Sequence, residues 1–162
     1  MPVTPFHFGL GAALKAAAPR HISFLSFAAV NVFIDVESFY NLMHARFPVH
    51  AFFHTYLGAP LMALLTILLF LLARWCARRF TLINFYHWQQ LSLLQVSLGA
   101  LLGAWSHVLL DSIMHADIRP LHPFSNENVL YEIIPLLHLH LICVLLGVLG
   151  LLGVYVRRAD EV

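Results

Sequence analysis

Charge is what this sequence has least of. Only 10% of its 162 residues are Asp, Glu, Lys or Arg, and 60% are hydrophobic; a soluble domain carries about 25% charged and about 45–50% apolar residues. Mean hydropathy is +0.81. Nine basic residues against eight acidic ones leave a net charge of +1, so there is no basic excess to serve nucleic acid, and no nucleic-acid partner is expected. Cysteine is nearly absent. Cys76 and Cys143 stand far apart, which gives no basis for a disulfide framework or a thiolate metal site. The opening Met1-Pro2-Val3-Thr4-Pro5 lacks the basic stretch of a secretory signal, so no cleavable signal is expected. One ionisable type is abundant. Eleven histidines in so apolar a chain call for an explanation.

A membrane-spanning helix needs roughly 20 mainly apolar residues. Residues 57–73 are uncharged and stop at Arg74, Arg78 and Arg79. Residues 91–114 form a second candidate, interrupted near its end by His107 and Asp111, and residues 133–156 a third, stopping at Arg157 and Arg158. The apolar run 22–34, ending in Asp35 and Glu37, is a shorter possible span. Residues 6–18 suit only a half-span or interfacial helix, closed by Pro19. The expected fold is all-α: one membrane-embedded helical bundle over residues 1–162, with three to four spans and a short N-terminal helix. The bilayer is its first partner.

Basic residues flanking span ends tend to stay in the cytoplasm. That rule puts Lys15, Arg20, Arg74, Arg78, Arg79, Arg157 and Arg158 inside, and all span directions then agree. Six of the eight acidic residues fall on the outer side with most histidines, beside only two cations, Arg46 and Arg119. The chain is expected in the inner (cytoplasmic) membrane as a multi-pass protein, with its polar groups toward the periplasm.

Within that polar end, Ser106-His107-Val108-Leu109-Leu110-Asp111 is the sharpest feature. Residues four apart share a helix face, so His107 and Asp111 point together inside an apolar helix, where ionisable groups by default suggest function. A hydrogen bond that joins two helices is the plainer reading. His115 continues the stripe. His50-Ala51-Phe52-Phe53-His54 repeats the spacing, as expected for one divalent ion held on a helix, or for two interfacial side chains with polar tips in water. Asp35 and Glu37 do not share a helix face; one is expected to bind metal and the other to act as base or to hold a ligand in place. His7 opens the first helix. Asp117 precedes the rigid Pro120-Leu121-His122-Pro123 loop, and Arg46, Arg119 and His122 are candidates for binding an anionic substrate. Mixed imidazole and carboxylate donors suit Zn²⁺ best, with Mn²⁺ or Fe²⁺ as alternatives.

The order Thr4-Pro5-Phe6-His7, Asp35-Val36-Glu37, His50 to Thr55, then Gly103-Ala104-Trp105-Ser106-His107 to Asp111 resembles the LexA-regulated, inner-membrane family described as metal-dependent hydrolases. The likeness covers about residues 4–125. The last block fits closely; the threonine of the middle block follows its second histidine rather than preceding it. Ile34-Asp35-Val36-Glu37-Ser38 departs from the family's P-D-x-D-H by lacking the proline and final histidine. More distantly the series is similar to zinc-dependent phospholipase C and the P1-type nucleases, all-helical enzymes that cleave phosphoesters. The resemblance implies a centre of Asp35, His54 or His50, His107 and Asp111, with His7 toward a neighbouring metal. One or two ions per chain are expected, and Glu37 or Asp117 as general base. The expected function is hydrolysis of a phosphoester, in a small molecule or a lipid or envelope precursor, at the outer face. The alternative is binding or transport of divalent metal or protons through the same cluster. Substrate identity and oligomeric state stay open at this point.

Overall fold

Serine side chains set where two of the helices begin. In the computed structural model, which describes residues 5–80 and 82–160, Ser23 accepts from the Ser26 N–H at the start of one helix. Ser92 and Gln95 form a reciprocal capping box at the start of another. The described residues form five α-helices: α1 His7–Ala17, α2 Phe24–Met43, α3 Ala59–Arg79, α4 Leu93–Met114 and α5 Leu136–Asp160. They contain no strand. The chain is an all-helical bundle, and α3, α4 and residues 136–157 of α5 are each long and apolar enough to cross a membrane. Thr4 of the N-terminal motif lies outside the described residues, as does the Arg158 side chain.

Two of the sequence expectations about local structure need correction. The apolar run 22–34 does not end its helix at Asp35. Instead α2 continues to Met43, because Asp35 is buried among its neighbours and Glu37 is half-buried rather than both entering water. His50 and His54 do not share a helix either. Only a single 3-10 turn, Phe52–His54, occurs there, and the two rings meet edge to face with centroids 4.8 Å apart.

Small residues bring the helices together. On α4 the buried row Gly99, Gly103, His107 and Asp111 repeats every fourth position, so it forms one stripe. A Cβ at Gly99 would collide with Ser23 O and Ser26 Oγ, and one at Gly103 with Val30 and the Phe27 backbone. The two α2–α4 backbones are therefore in close contact immediately below the polar residues. Similar packing joins α1 to α5, where a Cβ at Gly9 would strike Cys143 O and one at Gly150 the Ala12 backbone. Val30, Ile34, Ala59, Ala63, Ala100, Ala104 and Val108 form the core between α2, α3 and α4.

The bundle has two chemically opposite ends. At one, Lys15 Nζ donates to Pro19 O, Arg74 donates to Leu91 O, and Ser23 N donates to Gln95 O. At the other, the ends of α2 and α4 and the start of α3 surround the buried histidines and carboxylates.

Candidate metal centre

Four ligand atoms converge at that second end. His107 Nε2 lies 3.2 Å from Asp111 Oδ2 and 3.4 Å from Asp35 Oδ1. His54 Nε2 lies 3.7 Å from each of the same two oxygens and 3.4 Å from His107 Nε2. All four side chains are buried. Four tetrahedral donors bound at about 2.0–2.1 Å stand roughly 3.3–3.4 Å from one another, close to the separations seen here. The four ligand atoms all lie within 4.8 Å of one another, so these residues could hold a divalent ion.

The outer partner of His107 explains its aim, and a braced turn carries His54. Asn31 uses its Nδ2 on Phe27 O, 2.7 Å away, so its Oδ1 is the atom facing His107 Nδ1 at 2.9 Å. His107 must then donate from Nδ1, and a neutral ring keeps its lone pair on Nε2, directed at the two carboxylates. Two carboxylates and a nitrogen lone pair around one point require a cation or a proton there. On the His54 side, Glu37 Oε2 accepts the Phe53 N–H at 2.8 Å, which fixes the 3-10 turn, and lies 3.8 Å from His54 Nδ1. Ser38 Oγ is 3.2 Å from His54 Nε2.

His7 reaches the cluster from α1. Its Nε2 is 2.9 Å from Asp111 Oδ1, and its ring stacks on His107 with centroids 4.5 Å apart. It thus engages the second oxygen of a carboxylate whose first oxygen faces His107 and His54.

Beside the four-donor cluster is a second group, His50, Asp111 and His115, whose ligand atoms all lie within 4.8 Å of one another. Asp117 organises it. One of its oxygens accepts the backbone N–H groups of Val49 and His50 at 3.0 and 3.1 Å, and the other meets His50 Nδ1 at 2.8 Å. His115 sits just past α4 in extended backbone, its ring stacked on His50 with centroids 4.2 Å apart. Burial, with His50 alongside, pushes the His115 imidazole down to about 4. Burial and the neighbouring His54 also lower His50, so both rings are neutral near pH 7 and have a lone pair to offer. For Asp117 burial acts upward, but the N–H groups of His50 outweigh it and hold the carboxyl below its ordinary range.

The remaining candidates lie apart from this cluster. Arg46 is exposed with its guanidinium 5.1 Å from the centre of the Tyr40 ring. Arg119 is exposed and reaches Asn126 Oδ1 at 3.4 Å. His122 is exposed and lines an apolar groove with Tyr56, Leu57, Pro120, Leu121 and Phe124. Asn31 went unnoticed in the sequence. Its signal is its place four residues before Asp35, on the same α2 stripe.

No family model, no curated protein and no solved structure matches this chain.

Proposed function

We propose that the protein is a membrane-bound, divalent-metal-dependent hydrolase centred on Asp35, His54, His107 and Asp111, acting on a phosphoester of a lipid or envelope precursor. The observation that carries this reading is the convergence of four buried donors, with Asn31 turning the His107 lone pair inward. A bound Zn²⁺, Mn²⁺ or Fe²⁺ would lower the pKa of a water toward 7 and polarise the scissile oxygen. The chain supplies the rest. Asn31 and Glu37 orient the ligands, and His7 holds Asp111. Glu37 and Asp117 are the nearest carboxylates outside the four-donor set and the candidates to accept a proton. Arg46, Arg119 and His122 are the side chains at this end available to an anionic substrate. The phosphoester class rests on the resemblance of the motif order to membrane hydrolases and phospholipase C. By the positive-inside rule the basic end of the bundle faces the cytoplasm, so the centre lies toward the outer side of the inner membrane.

Transport of metal or protons is the second reading, and the interior speaks against it. Among the described residues, every buried histidine and carboxylate belongs to this one region, and apolar residues fill the core between α2, α3 and α4. Among the described residues no chain of ionisable groups leads onward across the bundle, as a relay would need.

The test is metal analysis of detergent-purified protein together with hydrolysis of bis(p-nitrophenyl) phosphate and a short-chain phospholipid. Metal-dependent cleavage that falls to background in His107→Ala and Asp111→Asn is expected. Stoichiometric metal with neither ester cleaved would favour the binding or transport reading.

A further inference from the structure

The four-donor cluster leaves three well-placed groups unused. His50, Asp117 and His115 come from the 45–58 segment and from the chain just beyond α4, and none is needed to complete a four-coordinate shell. Yet both Asp117 oxygens engage His50, one accepting its backbone N–H along with that of Val49 and the other meeting its Nδ1, through contacts of 2.8 to 3.1 Å. With His50 Nδ1 engaged, Nε2 is the nitrogen left to bind something. A carboxylate that orients a histidine in this way commonly backs a metal ligand, fixing the ring and raising its basicity.

We propose that His50, His115 and Asp111 hold a second divalent ion, with the Asp111 carboxylate shared between the two positions. This rests on the reading of the four-donor cluster as a metal site. Asp111 belongs to both groups, and an ionised carboxylate has about four lone-pair sites on its two oxygens. It can serve His107 and His54 on one side, His7 on another, and a second ion as well. The rings of His50 and His54, 4.8 Å apart, link the two positions along the same segment. This places the second ion on the His50–His115 side of Asp111, whereas the resemblance drawn from the motif order assigns a neighbouring metal to His7.

The two positions differ in what they leave open. Four protein donors close the first, whereas the second has three. The open position on the second ion would leave room for a substrate oxygen, and the first ion would take its water as a fifth donor. His115 is half-buried, whereas His54 and His107 are fully buried, so the second position lies nearer solvent. The ester oxygen of the substrate therefore binds on the His50–His115 side, with the buried cluster as its neighbour. Paired ions about 3.5–4 Å apart suit in-line displacement at phosphorus.

Manganese titration of the detergent-purified chain, followed by metal analysis and low-temperature electron paramagnetic resonance, tests this. The wild type should take up two Mn²⁺ per chain and show an exchange-coupled spectrum. His115→Ala should bind one and show the six-line signal of an isolated ion, with helical circular dichroism unchanged. Asp117→Asn provides the same comparison with a gentler change and should bind the second ion more weakly by about 10–100-fold. A wild type saturating at one ion lost in His107→Ala would overturn the second position and leave the first intact. Two ions retained without coupling in both variants would also overturn it. No bound metal at all would overturn both readings.

Discussion

Asn31 Oδ1 and His107 Nδ1 face each other at 2.9 Å across the α2–α4 interface, with Asn31 anchored in turn to Phe27 O. Both residues are buried. The contact decides which imidazole nitrogen is free, so an uncharged side chain controls the chemistry of a charged cluster.

Replacing Asn31 by leucine should therefore weaken metal binding by about 10–100-fold, the usual effect of losing a partner behind a ligand. The stranded imidazole N–H should also cost about 1–3 kcal/mol of stability. Asn31→Asp retains an acceptor and should keep the larger part of the affinity. Equal affinities for wild type and Asn31→Leu, by competition with a chromogenic chelator, would remove Asn31 from this role.

Glu37 allows a positioning role to be separated from proton transfer. In Glu37→Gln the amide oxygen can still accept the Phe53 N–H, so metal content should be unchanged. A loss of hydrolysis in that variant, with full metal, would assign the proton to Glu37. Glu37→Ala removes the acceptor and should lower both metal content and turnover, because His54 is carried on the same 3-10 turn. Full metal content in Glu37→Ala would show that the turn holds without it.

Bulk on α4 should act at a distance. Gly103→Val pushes into Val30 and the Phe27 backbone and should destabilise the bundle by about 1–3 kcal/mol, the usual cost of overpacking. Metal affinity should fall with it, since Asp35 and His107 separate as α2 and α4 do. Thermal unfolding in detergent, read beside a metal titration, checks both effects. A variant that unfolds earlier but binds metal normally would break the link between helix spacing and the centre.

Orientation is open to direct labelling. With Cys76 and Cys143 replaced, a cysteine at Asn126 should react with an impermeant maleimide added outside intact spheroplasts, while one at Arg78 should react only after lysis. The reverse pattern would place the cluster on the cytoplasmic side.

The parts of the site legible in the sequence are those where local geometry decides. His107 and Asp111 are four apart on one apolar helix, and nothing further was needed to align them. The pairing of His50 with Asp117 spans 67 positions, and no periodicity reports such a contact. The 3-10 turn under His54 was hidden for a related reason: spacing alone does not distinguish a helix from a loop that presents two side chains on its own path. Asn31 was hidden because an amide within an apolar run gives no charge signal. The extent of α2 is not legible because the apolar run stops at Asp35, whereas the helix continues to Met43 with Asp35 facing His54 and His107.

The stripe that carries His107 and Asp111 continues below them as Gly99 and Gly103, where the α2 backbone is jammed against α4. Asp35 is rooted in the first of these helices and His107 in the second, so their gap is gauged by contacts one and two turns below them. A larger ion such as Ca²⁺, which needs bonds of 2.3–2.6 Å, would call for more room between Asp35 and His107 than these contacts set. The cluster is thus set like a calliper at its hinge: the calibre of any ion it could hold is written in residues that never touch it.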